Sequence, residues 1–122
     1  MTVQIADPPV RINMPVEIGP YTFTDRDGVV INLTTDFVAA SVSCEIKRKG
    51  DAYSALTVLS GSFIVAANGT VHVTSYTHTA SGIWTYQFYC VNGSAQKLWG
   101  EPVQYEVAGN VPQMDVNTLL TK

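Results

Sequence analysis

The stretch WTYQFYCV, residues 84–91, decides the fold of this chain. Its side chains alternate with a period of two, which is the spacing of a β-strand and not of a helix. One face of the predicted strand carries Trp84, Tyr86, Phe88 and Cys90. Three aromatic rings and a thiol on one face predict that this strand fills a hydrophobic core.

The opposite face of the same strand is amphipathic. Thr85 and Gln87 are polar, whereas Tyr89 and Val91 are large and mostly apolar. The outer face of a β-sandwich is usually solvated, so one interpretation is an ordinary exposed surface. The other is that Tyr89 and Val91 belong to a contact patch for a partner.

The same alternation recurs on both sides of this stretch, and turn signals separate the segments. Asn68-Gly69 and Asn92-Gly93 are hairpin signals, and Gly28 supplies the positive φ of a turn at residues 25–28. The predicted strands cover residues 21–24, 29–33, 40–49, 62–67, 70–76, 84–91, 96–99 and 103–107, and residues 53–59 form a strand or an irregular connection. This pattern predicts an all-β fold: an immunoglobulin-like antiparallel β-sandwich of seven to nine short strands with extended N- and C-terminal arms.

Both ends of the chain differ from the alternating part. Residues 1–20 contain prolines at positions 8, 9, 15 and 20 and are predicted to form an extended N-terminal arm, ahead of a sandwich at residues 21–108. Residues 109–122 are predicted to form a C-terminal tail or arm. Its apolar side chains have modest helical spacing, and they indicate either a frayed end or an arm that docks on a neighbour. They are Met114, Val116, Leu119 and Leu120.

Composition limits the classes of partner. The chain has 122 residues, enough for one domain, and its charged share of 14% lies well below the roughly 25% of an average soluble domain. Few charged side chains mean weak electrostatic repulsion, and we therefore expect partners to cover part of the surface. The net charge of −3 and the single basic run at residues 47–49 predict no nucleic-acid partner.

The chain shows neither a membrane segment nor an export signal in its sequence. The longest apolar runs, such as residues 63–67, are far shorter than the ~20 residues of a spanning helix. Residues 1–9 lack a basic start and an apolar core. We therefore expect no membrane partner, and we expect the chain to fold in the compartment where it is made, a cytoplasm.

Two cysteines, Cys44 and Cys90, both occupy core-facing positions of predicted strands. They would face each other across the sandwich, where an immunoglobulin disulfide lies, or they are buried free thiols. The absence of an export signal favours free thiols.

No group of residues has the spacing of a catalytic or metal site. Asp25 and Asp27 resemble the start of a calcium loop, but the further ligands and flanking helices of an EF-hand are missing. His72 and His78 are predicted to be exposed on the outer face of a sheet. Because no nucleophile motif or phosphate-binding loop occurs, we expect neither an enzyme nor a cofactor.

The order of these signals resembles a known family. It consists of residues 21–28 (YTFTDRDG), 31–34 (INLT), 47–49 (KRK), 63–71 (FIVAANGTV), 82–88 (GIWTYQF), 92–93 (NG) and 102–107 (PVQYEV). Over residues 16–107 the chain resembles the immunoglobulin-like domain at the N-terminus of bacteriophage baseplate upper proteins and related phage structural proteins. Trp84 stands where that family usually has tyrosine, and we expect no fibre or receptor-binding domain after residue 122.

The resemblance implies a virion protein made in the host cytoplasm. It implies a structural role in anchoring or adapting tail, baseplate, neck or fibre components, in contact with other virion proteins and with further copies of this chain. Capsid decoration is an alternative. Another is a receptor- or carbohydrate-binding module, for which the available aromatic side chains are Tyr53, Tyr76, Tyr89 and Trp99.

Overall fold

A computed structural model describes residues 10–109 of the chain, and these residues form two packed β-sheets. Two 3-10 turns, Tyr53–Ala55 and Ala66–Asn68, are the helical elements of this part. Its strands are β1 (Val10–Arg11), β2 (Pro15–Thr22), β3 (Ala39–Arg48), β4 (Thr57–Ser60), β5 (Ser62–Val65), β6 (Thr70–Thr77), β7 (Gly82–Asn92), β8 (Lys97–Trp99) and β9 (Val103–Ala108). The predicted all-β sandwich is confirmed.

The strand order of the two sheets agrees with an immunoglobulin-like sandwich that has a C′ strand, although no C″ strand is among the described strands. The first sheet runs β1-β9-β7-β3-β4, with β8 also paired to β7, and the second sheet runs β2-β6-β5. Strands β9, β7, β3 and β4 thus stand in the positions of G, F, C and C′, and β2, β6 and β5 in those of B, E and D. One pair departs from the predicted antiparallel arrangement, because β1 runs parallel to β9.

The core lies between the two sheets and is built by the alternation that the sequence shows. On the central strands, β3 buries Val42, Cys44 and Ile46, and β7 buries Trp84, Phe88 and Cys90. The second sheet adds Ile18, Val71 and Val73 from its inner face. Each of these strands therefore presents one apolar face to the core and a more polar face to the outside.

The predicted arm at residues 1–20 is wrong for residues 10–20, which belong to the sandwich as β1 and most of β2. The prolines led to the error, since proline interrupts central strands. Strand β2 is an edge of the second sheet. Pro15 and Pro20 are tolerated there because the unpaired side of an edge strand needs no backbone N–H donors for strand pairing. The pairing of β2 with β6 shifts register between Ile18 and Tyr21, around Pro20. Residues 1–9 lie outside the described part.

The connection from β2 to β3 is irregular, although residues 29–33 were predicted to form a strand. It makes a single bridge, Thr24 with Val30. The Asn32 side-chain oxygen accepts hydrogen bonds from the backbone N–H groups of Thr34 and Thr35, at 2.9 and 3.1 Å. Such local bonds compete with a strand ladder and turn the chain.

The Asn68-Gly69 hairpin between β5 and β6 is confirmed. Gly69 has φ 67°, and a Cβ there would lie 2.6 Å from the carbonyl oxygen of Ile31. Glycine is therefore required both by the turn and by the close passage of the β2–β3 connection.

Cys44 and Cys90 do not face each other across the core. Both lie on the first sheet, where Cys44 is opposite Phe88 and Cys90 is opposite Val42, so the two cysteines are diagonal neighbours. Diagonal positions are about 7–8 Å apart, whereas a disulfide joins Cβ atoms about 3.8 Å apart. Both thiols are free and buried, in agreement with the prediction of free thiols.

His78 is fully buried, which corrects the prediction that it lies on an outer face. It follows β6 in the connection to β7. Its Nε2 is 2.7 Å from the hydroxyl of Tyr105, and its ring contacts Tyr76 and Trp84 edge-on, with centroids 4.8 Å from each. The side chain was misassigned because alternation does not continue past the end of a strand. His72 does lie on the outer face of the second sheet, where it contacts Glu17.

Mild acid is expected to destabilise the fold through His78. Burial lowers the pKa of this imidazole below its usual 6.5, so the unfolded chain takes up a proton at a pH where the folded protein does not. Stability is therefore retained above pH 6.5 and falls by up to about 1.4 kcal/mol per pH unit below it.

Urea denaturation at about pH 7.5 and about pH 5.5 measures this loss. His78→Gln is expected to flatten the pH dependence between these values, and His72→Gln, which leaves His78 in place, is the comparison variant. Equal acid sensitivity in His78→Gln and the unmodified protein would show that another group is responsible.

Candidate interaction surfaces

The two contact residues predicted on β7, Tyr89 and Val91, both lie on the outer face of the first sheet. In the register with β8, Tyr89 is opposite Trp99 and Val91 is opposite Lys97. Both predicted residues are half-buried beneath these neighbours. The other predicted contacts, Met114, Val116, Leu119 and Leu120, lie outside the described residues.

Tyr89, Lys97 and Trp99 form a compact cluster, called here the aromatic patch. The rings of Tyr89 and Trp99 have centroids 4.5 Å apart at an angle of 38°. The Lys97 ammonium lies 4.8 Å from the Tyr89 centroid and 5.7 Å from that of Trp99. Aromatic pairs contribute about 0.5–1.5 kcal/mol beyond burial, and exposed cation–π contacts about 0.5–1 kcal/mol. These contacts hold the Trp99 ring in place while leaving it 44% exposed.

The turn between β7 and β8 sets this geometry. The Asn92 side-chain oxygen accepts hydrogen bonds from the N–H groups of Ser94 and Gln96, at 3.0 and 2.9 Å. Ala95, and not Gly93, takes the positive φ of 64°. The turn thus fixes the register in which Trp99 stands opposite Tyr89.

Only some of the exposed aromatics predicted from the sequence come together. Tyr89 and Trp99 meet in the aromatic patch. Tyr53 is 77% exposed in the 3-10 turn between β3 and β4, and Tyr76 packs against His78 in the interior. The patch is thus built by pairing between β7 and β8, which brings together residues ten positions apart.

A groove of about 500 Å³ adjoins the patch on the side of the sandwich. One wall is residues 21–26, from the end of β2 into the following turn, and the other is Trp99 with Glu101. Trp99 therefore belongs to both the patch and the groove. This groove is not predicted from the sequence because its two walls are far apart in the chain, and the only local signal is the break at residues 100–102.

Tyr21 forms the floor of the groove. Its hydroxyl accepts a hydrogen bond from the N–H of Glu101 at 2.7 Å, which ties β2 to the segment after β8. Its ring packs on Phe23 and Phe88, with centroids 5.1 and 6.0 Å away, and so rests on the core. The floor is therefore rigid.

The turn at residues 25–28 forms one end of the groove. The Asp25 carboxylate oxygen Oδ1 accepts hydrogen bonds from the N–H groups of Asp27 and Val29, at 2.9 and 3.0 Å. The backbone N–H of Gly28 donates to the Asp25 carbonyl at 2.9 Å. Asp25 thus fixes the conformation of the loop whose side chains line the groove. Within residues 10–109 no group of three His, Cys, Asp or Glu side chains is arranged to hold a metal ion.

A second surface is the outer edge of β4 and β5, residues 57–65, called here the free edge. Strand β4 ends the first sheet and β5 ends the second, and only Gly61 separates them. Neither strand has a second strand partner among the described residues. Apolar side chains are exposed along this edge, including Val58 at 55% and Ile64 at 44%.

The free edge also has a signal in the sequence. No Asp, Glu, Lys or Arg occurs between Asp51 and Lys97. Strands β4, β5, β6 and β7 therefore contain none of these charged residues, which accounts for the low charged share of the chain. Proteins usually protect edge strands with charges or proline, and this segment has neither. The protective features of the edge are the shortness of its strands and a register shift between Phe63 and Val65.

The buried thiols are unsuited to nucleophilic chemistry. Burial raises the pKa of Cys44 to about 12 and that of Cys90 to about 11. A cysteine nucleophile reacts as the thiolate, which these environments disfavour at neutral pH.

Comparisons with protein families, with curated proteins and with solved structures found no match for this chain. In the part of the chain that the structure describes, there is no helix with the length and hydropathy needed to cross a membrane.

Gly100→Ala is expected to disturb the groove floor. A Cβ at Gly100 would lie 2.5–2.9 Å from the ring and hydroxyl of Tyr21. Gly100 itself cannot retreat easily, because its N–H donates to the carbonyl of Phe88 and its carbonyl accepts from the Gln87 amide. Overpacking of this kind costs about 1–3 kcal/mol.

Thermal or urea denaturation measures the cost of this substitution. Gly93→Ala is the control, since a Cβ there meets nothing within 4 Å. If both variants are as stable as the unmodified protein, Tyr21 is not held as the structure shows.

Proposed function

We propose that this chain is a non-catalytic structural module of a bacteriophage particle, which anchors or adapts tail, baseplate, neck or fibre components. The free edge carries the proposal. It is uncharged, partly apolar and open to strand pairing, a combination that soluble monomers avoid because it promotes association. The resemblance of residues 16–107 to phage structural domains supports the same role.

The partner at the free edge is a neighbouring copy of this chain. Strand addition uses backbone hydrogen bonds for affinity and side chains for specificity. An uncharged edge is complementary to an uncharged strand, and the same edge of a second copy meets that requirement. Pairing of like edges also generates a closed two-fold contact, the commonest symmetry of protein assemblies.

The interior of the sandwich also supports a structural role. The two cysteines are desolvated thiols, and His78 is enclosed by aromatic rings. No described cluster resembles a nucleophile with its base, which is the arrangement that most covalent catalysis requires.

Quantitative mass spectrometry of purified particles tests the proposed location. A copy number that is a small multiple of the tail symmetry is expected, and hundreds of copies would identify capsid decoration instead. Absence of the chain from particles would overturn the structural proposal.

Val58→Lys is expected to reduce incorporation into particles at least about tenfold, because lysine on an edge strand blocks pairing with a neighbour. Val29→Lys is the matched control, since Val29 is similarly exposed, at 60%, but lies in the turn after β2. The measurement is the ratio of variant to unmodified chain in particles from cells that express both. Normal incorporation of Val58→Lys would rule out the free edge as the contact.

The C-terminal residues are the other proposed contact. Deletion of residues 113–122 is expected to leave the sandwich folded, judged by circular dichroism, and to abolish incorporation. A truncated chain that enters particles normally would show that Met114, Val116, Leu119 and Leu120 are not required contacts.

A further inference from the structure

The groove beside Trp99 has the chemistry of a ligand site and is separate from the free edge. Its volume of about 500 Å³ falls within the roughly 300–1,000 Å³ of small-ligand pockets. It opens between β2 and β8, whereas the free edge lies at the opposite ends of the two sheets, at β4 and β5.

Trp99 provides a fixed aromatic platform at this groove. Its ring is held by Tyr89 on the same sheet face and by the Lys97 ammonium, and it remains 44% exposed. The face of an indole ring carries partial negative charge, which attracts C–H groups polarised by neighbouring oxygen atoms. The C–H face of a pyranose ring is such a surface.

Polar groups surround the platform. Thr24 offers a hydroxyl group, Asp25 offers its second carboxylate oxygen, and Arg26 and Glu101 offer a guanidinium donor and a carboxylate acceptor. The side chains of Arg26 and Glu101 make no hydrogen bond or ion pair with other described residues. Neighbouring hydroxyls of a sugar both donate and accept, so a wall that mixes carboxylate, guanidinium and hydroxyl groups matches them.

The charge of the lining selects among sugars. Two carboxylates, Asp25 and Glu101, line the groove together with the Arg26 guanidinium, and the Lys97 ammonium lies 5.7 Å from the centroid of the Trp99 ring. The two negative and two positive groups balance, so a charged sugar gains no net Coulomb attraction here, while the cost of removing its charge from water remains. The lining therefore favours an uncharged ligand.

We propose that this groove binds a neutral saccharide, a mono- or disaccharide unit of a larger glycan, with a sugar ring stacked on Trp99. The floor is rigid before the ligand arrives, because Tyr21 is fixed by its hydrogen bond to Glu101 and by its packing on Phe23. A preformed site of this kind loses little free energy to ordering. The proposal does not depend on assembly through the free edge, since both surfaces are accessible in one copy.

The test has two stages, both with the purified full chain. It is first applied to a printed array of neutral hexose and N-acetylhexosamine oligosaccharides alongside sialylated and uronic ones. Neutral glycans that bind are then titrated as free oligosaccharides while tryptophan fluorescence is recorded. The chain has two tryptophans, and Trp84 is 7% exposed, so Trp99 is the residue that reports binding at the surface.

At least one neutral saccharide is expected to bind with a Kd of about 1 mM or tighter. Trp99→Ala is expected to weaken that binding at least about tenfold, measured by calorimetry because the reporter is removed. Arg26→Ala, a change in an exposed turn that leaves the core untouched, is expected to weaken it as well. Tyr53→Ala is the matched control, as it removes an exposed aromatic side chain far from the groove.

Three results would overturn the proposal. They are no binding to any neutral glycan on the array, binding only to acidic glycans, and unchanged affinity in both Trp99→Ala and Arg26→Ala. The third result together with a loss of affinity in Tyr53→Ala would place the sugar at another surface.

Discussion

The antiparallel pairing of β3 with β7 is the interaction on which the rest of the structure depends. It runs from Ala39 opposite Asn92 to Arg48 opposite Trp84 and places the two longest strands at the centre of the first sheet. Because side chains alternate between faces, a slip of one residue in this register would exchange core and surface. The burial of Phe88 and Cys90 and the outward-facing position of Tyr89 therefore both follow from the same set of hydrogen bonds.

Both proposed interaction surfaces follow from this central pair. On one side of it, β7 continues through the Asn92 turn into β8, which brings Trp99 against Tyr89 and next to the end of β2. On the other side, β3 carries β4 in a regular register from Ser43 to Ile46 and leaves the far side of β4 open. The two proposed surfaces therefore rest on the same core, but the groove and the free edge lie on opposite sides of the sandwich.

The sequence predicted what depends on local pattern and missed what depends on distant contacts. The alternation of residues 84–91 correctly predicted the all-β sandwich and the outward position of Tyr89, and Asn68-Gly69 correctly predicted a hairpin. The sequence did not reveal that β2 includes two prolines, because whether a strand lies at the edge depends on the pairing of the whole sheet. It also misplaced His78, which follows a strand and turns inward onto Trp84. The groove required the approach of Tyr21 to Glu101, and no local pattern encodes that contact.

The passage of the chain from β4 to β5 has a mechanical consequence. The two strands are one nearly continuous run that leaves the first sheet and enters the second at Gly61, whose N–H donates to the carbonyl of Val42 at 2.9 Å. A strand docked along this run would be attached to both sheets together. A pull on that strand, parallel to the run, would load the β3–β4 and β5–β6 hydrogen bonds in shear at the same moment. Force entering the domain there would be divided between the two halves of the sandwich and would not peel one sheet from the other.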